Sequence, residues 1–156
     1  MHPVKKSIFS HIMTAGLIVG TLDGLAACIQ FIIRSGGFAV EKIFLFIAGG
    51  VLGKTAFQGG MGVVLLGIVL HYCIAMGFTA MYFLLYPRVL RVVKNRFWAA
   101  VLFGVSTWLV MNLIVLPLSL LPRIVPSVEQ VLIGMGILIV AVGWPIVVLA
   151  ERYYKR

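Results

Sequence analysis

The sequence predicts an all-α fold: a polytopic membrane protein with four transmembrane helices and one short interfacial or re-entrant helix between the first and the second. Of its 156 residues, 62% are hydrophobic and only 11% are charged, whereas soluble domains have about 45–50% apolar and about 25% charged residues. Four stretches are also long and apolar enough to cross a hydrocarbon core of about 30 Å as helices. This composition argues against a soluble fold, a disordered chain and a disulfide-stapled secreted domain.

The four predicted spans account for most of the chain. Each has roughly the 20 residues that a helix rising about 1.5 Å per residue needs to cross the hydrocarbon. The fourth also contains Pro145, which predicts a kink. We therefore interpret residues 1–156 as one transmembrane domain. The spans are Ile12–Ile33, Met61–Tyr86, Trp98–Leu121 and Val131–Ala150.

The segment between the first and second spans predicts a shorter helix. Its apolar part, Ile43–Gly53, has Glu41 and Lys42 before it and Lys54 after it, which leaves eleven residues. Eleven helical residues extend about 16 Å, roughly half of the hydrocarbon core. An interfacial helix or a re-entrant half-helix over about residues 43–58 fits this length, and a fifth span does not.

The basic residues predict how the spans are oriented. With four spans and the N-terminus inside, nine basic residues lie on the cytoplasmic side and four outside, as the positive-inside rule expects. We therefore predict that both termini are cytoplasmic, and we assign the net charge of +9 to orientation rather than to a nucleic-acid partner. The cytoplasmic group is Lys5, Lys6, Arg88, Arg91, Lys94, Arg96, Arg152, Lys155 and Arg156; the outer group is Arg34, Lys42, Lys54 and Arg123.

Polar residues inside the predicted spans are the candidate site. An ionisable group at the middle of a bilayer costs about 2.5–3.5 kcal/mol on insertion scales, so each one is a functional hypothesis. Asp23 and His71 lie near the middles of two antiparallel spans, where neighbouring helices can bring them into contact. Asn112, on the third span, can bond across helices or to carbonyls freed by Pro117. The remaining candidates are Gln30, on the face of Asp23, and Lys54, which can face Asp23 from the outer side.

Small residues follow the same faces as these polar groups. Gly16, Gly20 and Gly24 repeat at four-residue spacing beside Asp23, and Gly67 lies on the helix face of His71. Glycines at this spacing allow another backbone to approach closely. We therefore expect these faces to pack against protein.

The polar cluster has three interpretations at this stage. It is a structural clasp, a proton-labile or ion-binding site on a transport path, or a cofactor or catalytic site. Haem held by two histidines is disfavoured because His11 lies at the membrane edge and His71 at mid-membrane. The sequence has no zinc-binding pattern, and Cys28 and Cys73 form no CxxC pair. We predict no catalytic residue, no metal and no cofactor.

Five short motifs lie between Gly20 and Ser119. They are Gly20–Asp23, Gly53–Phe57 followed by Gly59-Gly60, His71-Tyr72, Met111–Leu113 and Leu116–Ser119. Together they resemble a group of small bacterial four-span inner-membrane proteins with no established activity, and the resemblance that they carry covers nearly the whole chain. The resemblance implies a multi-pass protein of the bacterial inner membrane. It also implies that the polar candidates are signature positions, which favours the clasp and the transport site equally.

The sequence favours a non-enzymatic accessory or structural subunit that packs within a membrane assembly. The expected partners are the lipid bilayer and either another membrane protein or a second copy of the chain. The alternative is a small proton-linked transporter or channel that uses Asp23 and His71, with Lys54 at the outer mouth. An intramembrane enzyme is a third class, and the sequence lacks the nucleophile–base pair or metal set that it requires.

Overall fold

The computed structural model describes residues 7–122 and 125–155. Lys5, Lys6, Arg123 and Arg156, which contributed to the predicted orientation, lie outside these residues. The described chain is helical, with no strand in it, and four of its helices are long and apolar enough to cross a membrane. The all-α prediction with four such helices is confirmed. The helices are α1 (Ile8–Ser35), α2 (Glu41–Leu52), α3 (Met61–Val93), α4 (Arg96–Leu118) and α5 (Val128–Tyr154).

Several helix ends are set by capping residues. The Ser7 hydroxyl accepts from the Phe9 N–H at the start of α1, and α1 ends at Gly36, whose φ of 65° suits glycine. Ser127 and Gln130 form a reciprocal capping box at the start of α5. These contacts satisfy backbone groups that a helix end otherwise leaves unbonded.

Helix α3 is longer than the predicted span. The sequence suggests a loop over Pro87–Phe97, but α3 continues through Pro87 to Val93. A proline inside a helix removes the N–H that bonds the carbonyl four residues earlier, here that of Phe83. The Tyr154 hydroxyl of α5 donates to this carbonyl at 3.1 Å. The helix therefore tolerates Pro87 because another helix supplies the missing donor.

Helices α4 and α5 each contain a π turn just before a proline. The turns are Met111–Val115 before Pro117 and Ile139–Gly143 before Pro145. Proline clashes with the carbonyl four residues earlier, and a wider π turn relieves this clash. The kink predicted at Pro145 corresponds in the structure to this local change of helix type.

The buried core occupies one half of the bundle. The start of α1, the end of α3, the start of α4 and the end of α5 meet at what we call the terminal end; residues 36–60, 119–122 and 125–127 form the loop end. The core cluster belongs to the terminal half and includes Phe83, Tyr86, Phe103 and Ile146. The π turn of α5 packs closely on α4, since a Cβ at Gly143 would overlap the Ala100 backbone. The terminal half is therefore the tightly packed part of the fold.

Helix α2 packs on α3 in the loop half. A Cβ at Gly67 of α3 would lie only 2.9 Å from the Cα of Phe44 in α2. The Leu120 N–H also donates to the Gly50 carbonyl at 3.0 Å, which joins the end of α2 to the segment after α4. Helix α2 is followed by a 3-10 turn, Gly53–Gln58. The depth of this segment in a bilayer stays a prediction.

The outward faces of the long helices carry large apolar side chains. Leu25, Leu65, Leu132 and Val140 are between 55% and 71% exposed. Large contiguous apolar surfaces are rare on soluble monomers and mark contact with membranes or partners. Four long apolar helices with exposed apolar faces are compatible with a multi-pass membrane protein.

Candidate functional site

A cavity of about 610 Å³ lies in the loop half of the bundle. All five helices contribute to its wall, which is mostly apolar. Cavities of about 300–1,000 Å³ with apolar walls and a few polar groups are typical small-molecule sites. The polar lining side chains are Asp23, His71, Thr107, Asn112 and Ser119.

The cavity opens near the ends of α2 and α4. Its lining residues Val51, Ile114 and Leu118 are 58%, 51% and 81% exposed. Toward the terminal end, the Phe78 ring of the lining stacks on Tyr82, which stacks on buried Phe103 with ring centroids 4.6 Å apart. This aromatic stack separates the cavity from the terminal end.

His71 is held by the backbone of α1. Its Nε2 lies 2.8 Å from the Gly20 carbonyl oxygen. Because a carbonyl can only accept, Nε2 carries a proton and donates it. Among the described residues Nδ1 has no hydrogen-bond partner, so it is the ring nitrogen that can take a second proton. The absence of a side chain at Gly24 makes room, since a Cβ there would lie 3.2 Å from Nε2.

Asp23 shares the cavity with His71, but the two side chains form no ion pair in the described chain. The direct contact that the sequence suggests is replaced by the bond from His71 to Gly20. Asp23 is half-buried and lies less than one helical turn after Gly20. The cavity is therefore lined by two ionisable groups, one from α1 and one from α3, that form no ion pair with each other in the described chain.

Asn112 bonds within its own helix. Its Nδ2 donates to the Trp108 carbonyl at 2.9 Å, so its amide stabilises the backbone beside the π turn of α4. This differs from the expected bond across helices or at Pro117. The Thr107 hydroxyl bonds the Phe103 carbonyl of its own helix and the Tyr82 hydroxyl of α3, and Ser119, just after α4, donates to the Leu116 carbonyl.

Gln30 and Lys54, two of the predicted candidates, are not among the residues that line the cavity. Gln30 is half-buried on α1, and Lys54 is exposed in the 3-10 turn after α2. The structure therefore does not bring Lys54 to the mouth beside Asp23. In residues 7–122 and 125–155, no three His, Cys, Asp or Glu side chains are grouped closely enough to hold a metal ion.

Reasoning from the sequence missed a second bond between α1 and α3. The Thr21 hydroxyl donates to the Leu17 carbonyl at 2.8 Å, so the Tyr72 hydroxyl donates to Thr21 at 2.9 Å. Thr21 follows Gly20 and Tyr72 follows His71, so this bond lies beside the His71 bond. In the sequence, the only indication of this bond is that Thr21 follows Gly20 and Tyr72 follows His71. That adjacency does not indicate which residues of the two helices meet.

The glycines of α1 pack inside the chain. A Cβ at Gly16 would overlap Met76, one at Gly20 would lie against Tyr72 and Ala75, and one at Gly24 would lie against His71. All four of these contacts come from α3. The α1 glycine face is therefore filled by a neighbouring helix of the same protein.

Comparison with protein-family models, with curated proteins and with solved structures finds no match for this chain. The site has to be interpreted from its own chemistry. A carboxylate and an imidazole line an apolar cavity that opens at the loop end, and each can exchange a proton with water or a ligand. Such a site can bind an apolar molecule and couple its binding to protonation.

Proposed function

We propose that this protein is a small proton-linked membrane transporter that binds an apolar ligand in the cavity, with Asp23 and His71 as the proton-binding groups. The observation that carries the proposal is that one open cavity reaches both Asp23 and His71. Intramembrane ionisable residues that line a cavity are typical of substrate pathways and proton relays. The proposal includes no enzymatic activity, metal or cofactor.

The lining defines the class of ligand. Most wall residues are aliphatic or aromatic, so the body of the ligand is apolar. Burying a polar group costs about 1–3 kcal/mol unless it is hydrogen-bonded, so a group that binds the ionised carboxylate of Asp23 has to donate. An apolar molecule with one amine or hydroxyl donor meets both requirements.

Transport requires access from the terminal end as well. The stack of Phe78, Tyr82 and Phe103 stands in this path. The π turn of α5 packs on Gly104, the residue after Phe103, and such turns are local irregularities often found at functional sites. We propose that helix movement at this turn parts the stack in the other state of the transport cycle.

We propose that the terminal end lies in the cytoplasm of a bacterial cell, with the helices in the inner membrane. Among the described residues the terminal end carries more basic side chains than the loop end, in accord with the positive-inside rule. The basic residues are Arg88, Arg91, Lys94, Arg96, Arg152 and Lys155 at the terminal end and Arg34, Lys42 and Lys54 at the loop end.

The second candidate is an accessory subunit that packs against another membrane protein or a second copy. It is favoured by the outward face of α3, where Gly62 and Gly77 have no neighbouring atom within 4 Å of an added Cβ. Val69 and Cys73 lie exposed between them. Small residues on a lipid-facing side let a partner helix approach closely.

The test is proton flux in proteoliposomes that contain the purified full-length protein and a trapped pH-sensitive dye. We expect Asp23→Asn and His71→Ala to reconstitute like the native protein and to lose most of the flux. The matched control is Glu129→Gln, which removes an exposed carboxylate outside the cavity and should keep the flux.

Two results would contradict transport. One is a native protein with no flux above that of empty liposomes. The other is a pair of variants that keep the flux per folded molecule but melt at lower temperature, since this result assigns the polar groups to a structural clasp and favours the accessory subunit.

A further inference from the structure

A second, smaller pocket lies at the terminal end between α1 and α5. Its volume is about 230 Å³. Helix α1 contributes Ser10, His11 and Thr14 on one face, and α5 contributes Arg152. The inner wall is apolar, with Ala15, Phe83 and Leu149. The pocket thus combines one cation and two hydroxyls with an apolar floor.

Among the described residues, the Arg152 guanidinium and the Ser10 hydroxyl of this pocket have no partner, whereas the Thr14 hydroxyl donates to the Ser10 carbonyl at 2.9 Å. Glu151, the neighbouring acid, bonds Arg96 at 3.3 Å and also Lys155, and Arg152 forms no ion pair with any described residue. The Ser10 hydroxyl has no hydrogen-bond partner in the described chain. The His11 Nδ1 bonds the Ser7 carbonyl at 3.2 Å, which leaves Nε2 free. A cation beside unbonded polar groups suits an anion.

We propose that this pocket binds the phosphate of an anionic phospholipid. Arg152 supplies the planar set of N–H donors that matches phosphate oxygens, and Ser10 adds a hydroxyl donor. Basic pockets between membrane helices at the cytoplasmic side are suited to anionic headgroups. This site shares no lining residue with the large cavity, so the proposal requires the membrane location but not transport.

The surface next to the pocket favours a lipid over a free phosphate. One turn further along α1 from Thr14, Leu17 and Ile18 are 52% and 41% exposed. Acyl chains attached to a phosphate at Arg152 would lie along these side chains, and Leu149 would contact the glycerol. A free phosphate would leave this apolar surface without a partner.

The test is native mass spectrometry of the full-length protein in detergent, titrated with phosphatidylglycerol. We expect Arg152→Gln to weaken binding by about tenfold, the loss typical of one hydrogen bond to a charged group. Ser10→Ala should weaken it by a few-fold. The control is Arg91→Gln, which removes the same charge from the same end outside the pocket and should change binding by less than about twofold.

Each alternative has its own result. Equal losses of phospholipid binding in Arg152→Gln and Arg91→Gln would show that the lipid is attracted to the basic surface in general and not bound in the pocket. Equal binding of phosphatidylethanolamine would remove the requirement for an anionic lipid. Displacement of the lipid by millimolar inorganic phosphate would assign the pocket to a free anion. Arg152 and Ser10 are exposed, and melting curves of the variants check that folding is unchanged.

Discussion

Gly24 allows His71 to reach the backbone of α1. Side chains on a helix point toward its N-terminus and cover the preceding turn, so a side chain at residue 24 would lie over the Gly20 carbonyl. The His71 Nε2 donates to this carbonyl at 2.8 Å. The glycine therefore exposes an acceptor to which a ring on the neighbouring helix bonds.

Replacement of Gly24 tests this contact at the level of one atom. In Gly24→Ala the new Cβ would lie 3.2 Å from Nε2 and would push the ring from the carbonyl. Gly136→Ala is the control, since it adds a Cβ to a helical glycine that has nothing within 4 Å. Both variants gain the same helix propensity, which cancels in the comparison. Only Gly24→Ala disturbs the bond from His71, so we expect it to be less stable than Gly136→Ala by about 1 kcal/mol. Denaturation in detergent measures the difference, and equal stabilities would contradict the contact.

The candidate polar residues could be found from the sequence, but their partners could not. Asp23, His71 and Asn112 stand out because polar groups are rare in apolar spans. The bonds of His71 and Asn112 go to the carbonyls of Gly20 and Trp108. Every residue has a carbonyl, so the pattern of side chains cannot indicate which one is bonded.

Helix α2 depends on the absence of a side chain in α3. Its Phe44 backbone rests directly on Gly67, and Leu120 bonds its Gly50 carbonyl at 3.0 Å. Phe46, Ile47, Gly50 and Val51 of α2 then form one wall of the cavity. The position of this short helix therefore determines the width of the cavity.

Replacement of Gly67 tests the packing of this element. In Gly67→Ala the added Cβ would overlap the Phe44 backbone, which cannot move as a flexible side chain can. We expect α2 to shift, with a loss of about 1–3 kcal/mol of stability and faster proteolysis of residues 36–60. The control on the same helix is Gly62→Ala, which meets no atom within 4 Å. Equal proteolysis of the two variants would show that α2 does not rest on Gly67.

The irregular parts of the long helices were only partly predictable. Pro87, Pro117 and Pro145 are visible in the sequence, and each removes a backbone donor. The structure accommodates these prolines in two ways. A hydroxyl from α5 bonds the carbonyl that Pro87 leaves free, and π turns precede Pro117 and Pro145. The choice depends on which helix lies nearby, which is a tertiary property.

The two halves of the molecule are packed differently. The terminal half is filled by large side chains such as Phe83, Tyr86, Phe103 and Ile146. The loop half contains the cavity, which reaches inward as far as Thr107 and Val142. A bundle that is tight at one end and hollow at the other can bind a ligand without loss of its main core.

Filling the cavity separates binding from folding. Ile47→Trp places a larger apolar side chain on the cavity wall and leaves Asp23 and His71 unchanged. We expect this variant to keep or raise the melting temperature, because it fills empty space, and to lose most of the proton flux. Leu52→Trp is the control on the same helix, since Leu52 is exposed and outside the cavity lining. Unchanged flux in Ile47→Trp would show that the cavity is not the transport path.

Composition and hydropathy were sufficient for the all-α class, the four long helices and the polar positions within them, because these depend on the transfer of each residue from water to lipid. Helix packing created the remainder: the bond from His71 to Gly20, the position of Lys54 outside the cavity lining, and the cavity itself. Those features depend on contacts between distant residues and on space left unfilled, and neither is a property of any single segment of the chain.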